Sequence, residues 1–500
     1  MSRRSVVAVV NTLQHRVGHC VHSLGNLSMA AYASSQLGCG SKPDLVLLTH
    51  PIGSTEHTIA SKVIERRPDV CGFSATSLTE PTIIRAIEII KYEMPECLIV
   101  VGGPSIVESA TVSRFASSRV DLCVNGDGEQ AFALILDAVG QGAASDLREG
   151  RISVPGVYAR TAMTSHLAPC PQVDLSELPS PYCSPDGVSF FDSLAEPFDH
   201  VYWETARGCV FRCVYCAYRG RRSMFRCVPE DRLLTELRYF AERGVKSVFI
   251  TDPVLGGPKA RTKKVLSLIG KQPTVDEVAV LLRGEYLDAE MIELLKKARV
   301  TWLDLGLQTT NPALGYIHRA NNISFLLGRW EELRRADIGF NLDLILGFPG
   351  DTVETMKESL RFVVEQAHPT TLKVFTLRVY PGTALHDMAT MQGNRWLRYN
   401  RATRLVESTF SCSGEEMEQM IKFGNSIVAF YRYLESKAWY GAGNRYRSLD
   451  LFEELFSWLE LRERSSAAAW HVLNFPQNSY SEALVADLWD SYCTDRNQVC

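Results

Sequence analysis

The sequence predicts an α/β protein in three parts: an N-terminal doubly wound parallel sheet, a central partial (β/α)6 barrel and a C-terminal helical cap. Three observations carry this. From residue 5 to about 140, short fully apolar runs alternate with helical stretches, the pattern of strands covered on both faces of a parallel sheet. After a proline-rich stretch, six further strand-helix units begin at Val201. Beyond about residue 390 the strands stop and aromatic-rich helical segments take over. A chain of 500 residues with 46% apolar residues suits about three domains. The boundaries drawn are 1–140, a linker over 141–200, 201–390 and 391–500.

The first series has apolar runs at Val6–Val10, Leu45–Leu48, Val70–Ser74, Leu98–Val101 and Leu122–Val124, with helical stretches such as Pro81–Tyr92 between them. The loops after these strands carry Gly72, Gly102-Gly103-Pro104 and Gly126-Asp127-Gly128-Glu129, and ligands of open parallel sheets bind at the carboxyl ends of strands. Residues 141–200 are punctuated by Gly142, Pro155, Pro169, Pro171, Pro179 and Pro181. The second series predicts strands at Val201–Thr205, Val245–Thr251, Val278–Leu282, Trp302–Leu305, Leu342–Leu346 and Leu372–Leu377. Helices are predicted over Pro229–Arg243, Pro258–Ile269, Asp288–Ala298, Ile323–Ala336 and Val353–Glu365. Met417–Trp439 and Leu449–Arg462 read as cap helices.

The charge balance, 53 basic against 57 acidic residues for a net −4, offers no field to recruit nucleic acid or an anionic membrane. No run of about 18 apolar residues is present to span a bilayer. Arg3 and Arg4 have a twin-arginine look, yet the apolar run after them ends at Asn11, too short for a secretory signal, so it reads as a first buried strand. The expectation is a soluble, cytoplasmic protein.

Fourteen cysteines in a chain this long do not make a disulfide mini-scaffold, and three lie within Cys209–Cys216. Arg207-Gly208-Cys209-Val210-Phe211-Arg212-Cys213-Val214-Tyr215-Cys216 gives C-x3-C-x2-C on the loop after the first barrel strand. Soft thiolates suit an iron-sulfur cluster or zinc. Structural zinc usually takes four protein ligands from paired knuckles, and no second knuckle follows. Three ligands on a cubane leave one iron open to a substrate or cofactor.

This spacing, its position and Tyr215 just before the last cysteine resemble the radical S-adenosylmethionine (radical SAM) superfamily. Leu305-Gly306-Leu307-Gln308, Asp343 through Asp351 and Val379-Tyr380-Pro381-Gly382-Thr383 look like successive strand-end motifs of its barrel. Val100-Val101-Gly102-Gly103-Pro104, Asn125 through Glu129, and Asp174-Leu175 through Leu178-Pro179-Ser180-Pro181-Tyr182 are similar to the subgroup with an N-terminal cobalamin-binding domain.

The resemblance implies that Cys209, Cys213 and Cys216 hold a 4Fe-4S cluster whose open iron chelates S-adenosylmethionine (SAM), giving methionine and a 5′-deoxyadenosyl radical on reduction. Gly256 and Gly257 stand where the superfamily meets the methionine part of SAM, although its usual glutamate is missing, and a simple turn is the plainer reading. Tyr215 would stack near the adenine or bond it through its backbone. Glu285 and Gln308, past the third and fourth strands, would bond ribose or carboxylate, unless they are merely solvated strand ends. Asp252 and Asp304 would bind substrate amines or hydroxyls or act as acid and base, with helix or turn capping as the alternative. Cobalamin, if held by residues 5–140, would touch Thr76, Ser77, Gly102 and Gly103. The histidine motif that ligates cobalt elsewhere occurs only in a degenerate form, Cys20-Val21-His22-Ser23-Leu24-Gly25, where His22 reads as an ordinary loop or helix histidine.

The expected function is radical modification of a small metabolite in a specialised pathway such as antibiotic biosynthesis, with cobalamin-assisted methylation at carbon as the main outcome. The alternative is a cobalamin-independent dehydration or deoxygenation of a polyol or aminosugar. A non-catalytic cobalamin or iron-sulfur sensor would not need the full series of strand-end motifs. The partners expected are a small-molecule substrate and an external one-electron reductant of flavodoxin or ferredoxin type, with no nucleic acid and no membrane.

Overall fold

The structure, a computed structural model, describes residues 6–14, 23–37, 43–76, 79–104, 106, 114–162, 168–183, 199–220, 224–272, 275–319, 321–436, 448–474 and 481–496. Arg3, Arg4, Cys20, His22 and Ser77 lie outside the described residues. The chain forms two compact units, one of Met1–Gly208, Ser223–Thr251 and Lys271–Glu277, the other of Cys209–Arg222, Asp252–Gly270 and Val278–Cys500.

In the first unit β1 (Val7–Gln14), α1 (Leu24–Gln36), β2 (Asp44–Pro51), α2 (Glu56–Ile64), β3 (Val70–Ser74), α3 (Glu80–Glu93), β4 (Leu98–Gly102), β5 (Leu122–Val124) and α4 (Gly128–Gly140) follow one another. The strand order is β2-β1-β3-β4-β5, with one further strand (Val157–Ala159) at the β5 edge. β1 to β5 run parallel, so the doubly wound expectation holds. Its strands are apolar on both faces: Val9, Cys71, Phe73, Ile99 and Val101 pack with Ile59, Val63, Ile83, Ile87 and Ile90 of α2 and α3. The order reverses about β1, which places a topological switch point at the carboxyl ends of β1 and β3. The short helix α5 (Ala144–Arg148) and β6 (Val157–Ala159) come next, and β6 pairs antiparallel with β5. This edge strand falls within the stretch read as linker, its three residues being too few to show a period.

The same unit carries β7 (His200–Trp203), a ladder of β8 (Ala206–Arg207) with β9 (Arg226–Cys227), α7 (Glu230–Glu242) and β10 (Ser247–Ile250). β10 pairs parallel with β7, and β8 pairs antiparallel with β9. The Trp203 indole is buried and donates to Glu236 of α7 at 2.6 Å; Glu236 also accepts from Arg232 at 2.9 Å and from Ser180 at 2.7 Å.

In the second unit the cluster loop ends in α6 (Ala217–Gly220). The remaining elements are α8 (Lys259–Gly270), β11 (Glu277–Leu282), α9 (Ala289–Lys297), β12 (Val300–Gln308), α10 (Ile323–Arg335), β13 (Gly339–Leu346), α11 (Val353–Phe362) and β14 (Thr371–Thr376). β11, β12, β13 and β14 pair parallel in that order. Leu303, Leu305, Leu307, Phe340, Leu342, Leu344 and Leu346 are buried, with Phe340 stacked on Trp330 of α10 at 6.2 Å. Alternate positions are polar: Asp304, Asn341, Asp343, Thr371 and Lys373. Strands that bury apolar side chains on one face and carry charges on the other line a site rather than a dry core. All six predicted strands of this series are present across the two units.

After α12 (Ala384–Thr390) the chain forms an antiparallel ribbon, β15 (Leu397–Tyr399) with β16 (Val406–Thr409). The expectation that strands stop at about 390 is corrected here, since these strands are too short to show alternation. The cap helices follow as α13 (Gly414–Ser436), α14 (Leu449–Arg462), α15 (Ala467–Asn474) and α16 (Glu482–Asp495). Buried Phe430, Tyr431, Trp489 and Tyr492 seat them, and the Tyr431 hydroxyl donates to the Pro369 carbonyl at 2.8 Å. Among the described residues no helix is long and apolar enough to cross a membrane.

Candidate iron-sulfur and cofactor site

The loop bearing Cys209, Cys213, Tyr215 and Cys216 is held by its backbone. The Val214 N–H donates to the Ile317 carbonyl at 3.4 Å, the Leu385 N–H donates to the Val214 carbonyl at 3.1 Å, and the Cys216 N–H to the Cys213 carbonyl at 3.2 Å. Cys213 is buried, while Cys209 and Cys216 are half-buried. Burial pushes the Cys209 thiol up, and the nearby Cys213 adds to this. Such thiols ionise when a metal takes them. The donor set, three thiols spaced C-x3-C-x2-C on one loop, has the chemistry of a three-thiolate cubane, though among the described residues these side chains are not drawn together as a ligand group.

Two arginines the sequence reading did not single out organise the surroundings. The Arg283 guanidinium lies over the Phe211 ring at 4.0 Å, donates to the Cys213 sulfur at 3.9 Å, and pairs with Glu285. Burial opposes ionisation of Glu285, but the bonds from Arg283 and the field of Arg319 prevail and hold its carboxyl below the usual range. Arg319 donates to the Gly306 carbonyl and acts electrostatically on Cys209, Tyr215, Glu285 and Asp343. Arg283 precedes Glu285 by two residues, and in the sequence an arginine so close to a glutamate reads as a surface pair. Arg319 follows a 3-10 turn with no periodic context to mark it.

Gln308 ends β12 in a left-handed conformation, φ 71°, after a register shift between Gly306 and Gln308 against β13. A non-glycine residue held there is strained, and such strain clusters at functional sites. The side chain folds back over Gly306, into the space a Cβ would fill. Gln308 Oε1 and Arg319 Nε are buried without a hydrogen-bond partner. Two unmet polar atoms beside the cysteine loop fit a polar ligand such as SAM.

Tyr215 packs edge-on against Phe348 at 5.2 Å, and burial pushes its phenol up. Gly256 and Gly257 form a turn with positive φ at both. The Gly256 N–H donates to the Asp252 carboxylate at 2.9 Å, and the Tyr286 hydroxyl donates to the Gly257 carbonyl at 3.1 Å. The Tyr286 ring lies 5.8 Å from that of Phe211, which links the glycine turn to the cysteine loop. Asp252 is therefore turn-bound and buried, the capping geometry of the two considered. Asp304 accepts from Lys373 at 2.9 Å. Neighbouring Asp343 accepts from Asn341 at 2.6 Å; burial pushes its carboxyl up to about 6, with Lys373 and Asn341 pulling the other way. Arg283 and Arg319 thus link Cys209, Cys213, Tyr215, Glu285 and Gln308, and Tyr286 ties the glycine turn to Phe211 of the same loop, with Asp304 further back on β12.

In the first unit, the Thr76 N–H and hydroxyl both bond the Thr79 hydroxyl, at 3.0 and 3.1 Å, closing the turn into α3. Gly103 has φ 96°, and a Cβ there would stand 2.9 Å from the Ala75 backbone. Both are required by the strand-end turn itself. A Cβ on Gly102 would meet Val124 at an ordinary 3.7 Å. Unmet groups lie elsewhere: Asn26 at the start of α1 is 1% exposed with neither amide atom bonded, and Thr49 Oγ1 and His50 Nδ1 near the end of β2 are also buried without partners. His50 Nε2 bonds Asn11 Oδ1 at 3.1 Å. Buried polar groups left unbonded at the carboxyl edge of such a sheet fit a large polar ligand there.

Residues 203–363 match the model of the radical SAM superfamily. The chain is similar to the cobalamin-dependent radical SAM methyltransferase TokK of Streptomyces tokunonensis, 25% identical over 360 residues that make up 66% of this chain and 49% of TokK. It spans about half the length of the first curated relatives it matches. Among solved structures, the cobalamin-dependent S-adenosylmethionine radical enzyme OxsB with aqua-cobalamin bound aligns with a TM-score of 0.67 at 12% identity, covering 99% of this chain and 80% of that one. The radical SAM methyltransferase TsrM of Kitasatospora setae, with tryptophan substrate and a SAM analogue bound, aligns with a TM-score of 0.61 at 18% identity, covering 79% of each. At these identities the likeness is one of fold. Residues 203–363, which carry the cysteine loop, thus match a radical SAM domain, and the chain as a whole shares the fold of OxsB and TsrM.

Proposed function

We propose that this enzyme methylates a carbon of a small metabolite in a specialised biosynthetic pathway such as antibiotic biosynthesis, with cobalamin bound by the first unit. The observation that carries the cobalamin part is the set of unbonded buried polar groups on Asn26, Thr49 and His50. When bound, the cluster with SAM supplies reductive cleavage to a 5′-deoxyadenosyl radical, and cobalamin supplies a transferable methyl group.

The chain's own residues bind and orient. Cys209, Cys213 and Cys216 ligate the cluster, and Arg283, bonded to the Cys213 sulfur, offsets its negative charge. Gln308, Arg319 and Glu285 offer an unmet carbonyl oxygen, a guanidinium and an ionised carboxylate to the polar parts of SAM. The turn of Gly256 and Gly257, closed by Asp252 and Tyr286, would border its methionine portion, and Tyr215 its adenine. Asp304, oriented by Lys373, and Asp343 face the substrate with hydrogen-bonding groups. The electron comes from an external flavodoxin- or ferredoxin-type protein.

The test is anaerobic reconstitution with iron, sulfide and hydroxocobalamin, then dialysis, reduction and addition of methyl-labelled SAM. Retained corrin absorbance, labelled methylcobalamin and 5′-deoxyadenosine are the expected products. If no corrin is retained while 5′-deoxyadenosine still forms, methylation through cobalt is wrong and dehydration or deoxygenation of a polyol or aminosugar takes its place.

A further inference from the structure

The first unit holds a short ladder that flanks the cysteine segment in sequence and closes as a narrow neck. Ala206 pairs with Cys227 and Arg207 with Arg226 across the β8–β9 ladder, so the second rung lies two residues before Cys209 in the chain and constrains where the cysteine segment begins. The neck is tight, because a Cβ on Gly208 would stand 2.7 Å from the Met224 carbonyl oxygen. Both arginines of the second rung reach one carboxylate. Arg226 donates to Asp127 Oδ2 at 2.7 Å and to the Val173 carbonyl at 2.6 Å, and Arg207 lies 3.5 Å from Asp127 Oδ1. Arg207 also donates to Glu129 at 2.9 Å and forks onto both oxygens of Glu204 at 2.9 Å each. Glu129 is further held by the Ser28 hydroxyl at 3.0 Å.

Asp127 occupies the N-cap of α4, where an aspartate ordinarily accepts from the helix's first N–H groups, yet it makes no side-chain capping bond there. Glu129, in the first turn, is 5% exposed at its side chain and faces Arg207. The two acids that could serve the helix are turned toward the neck instead. Three carboxylates against two guanidiniums, with side chains no more than 20% exposed, make charge-assisted bonds that persist where solvent-exposed pairs would not.

We propose that Asp127 and Glu129, in the Gly126-Asp127-Gly128-Glu129 motif after β5, are positioning residues for the iron-sulfur site: by clamping Arg226 and Arg207 they fix the neck of the cysteine loop and hold its three thiols ready for the cluster. Pinning both ends of a loop removes much of the conformational freedom its tip would otherwise sample. This rests on the three cysteines as cluster ligands and is independent of methylation or cobalamin.

The test uses the full chain with Asp127→Asn, Glu129→Gln and, as a conservative partner, Arg226→Lys. In apo-protein, iodoacetamide alkylation of Cys209, Cys213 and Cys216 is followed by peptide mass spectrometry against buried Cys71, together with iron bound after reconstitution and the melting temperature. The expected result is alkylation of the three loop thiols faster by about fivefold with Cys71 unchanged, iron loading reduced by half or more, and Arg226→Lys intermediate. Wild-type alkylation and loading in all variants would overturn the proposal. So would an equal rise at Cys71 in every variant, since the carboxylates would then serve only the folding of the first unit.

Discussion

Arg283 lays its guanidinium 4.0 Å over the ring of Phe211, which fixes a cation beside the Cys213 sulfur without leaving it free to follow solvent. A cation so placed stabilises the more negative, reduced cluster. Arg283→Met should lower the cluster's reduction potential by about 50 mV, read by redox titration with electron paramagnetic resonance, while Arg283→Lys recovers part of the shift. An unchanged potential in both would mean that Arg283 serves only packing and Glu285.

Cys213→Ala should abolish the cluster. The wild-type chain should bind about four irons and four sulfides after anaerobic reconstitution, and the variant should bind none stably, because a cubane with three protein ligands does not survive the loss of one. Stoichiometric zinc in place of iron would refute the ligand assignment.

Gln308→Gly should separate strain from binding. At φ 71° glycine relieves about 1 kcal/mol, so the melting temperature should hold or rise. SAM affinity should fall by about tenfold with the amide gone, measured by equilibrium dialysis with iron content as control. Unaltered SAM binding would assign Gln308 to fold geometry alone.

Burial, reinforced by Lys62, lowers the His50 pKa to about 4 from 6.5. The native state therefore keeps this histidine neutral where the unfolded chain protonates it, so its contribution is fully present above pH 6.5 and is lost progressively as pH falls to about 4. The loss amounts to roughly 3 kcal/mol at most. His50→Gln should flatten that part of the stability curve in urea melts between pH 4 and 7. The same acid dependence in the variant would place its origin elsewhere.

Asn26→Leu should weaken corrin binding in dialysed, hydroxocobalamin-treated protein while leaving iron loading intact, because the leucine offers no amide to a ligand at this edge. Gly103→Leu is a poorer probe. The new side chain would collide with the Ala75 backbone and cost about 2 kcal/mol of stability in the first unit, so corrin would be lost through the scaffold. Equal corrin retention in Asn26→Leu and wild type would remove the present support for cobalamin in the first unit.

Periodicity made the parallel strands and most helices legible, since strands buried on both faces show as continuous apolar runs and amphipathic helices as 3.6-residue stripes. The C-x3-C-x2-C loop was legible because metal ligands must lie close in sequence to be recognised so. Hidden were contacts set by chain return. The β8–β9 ladder has two residues per strand, β6 has three, and Arg319 approaches Gly306 only because a 3-10 turn brings it back. Thr76 and Gly103 were visible as strand-end residues, but whether such a residue serves a ligand or its own turn depends on the backbone it faces, and here that backbone is Thr79 and Ala75.

The slip in pairing between Gly306 and Gln308 makes residue 307 intolerant of a change in chain length, though not of a change in side chain. Deleting Leu307, or inserting a residue beside it, would rotate Gln308 to the helix-covered side of β12 and withdraw its amide from Gly306, because one residue of offset exchanges the two faces of a strand. Homologous chains of this architecture should therefore vary in loop length after β11 or α10 far more readily than within the last three residues of β12.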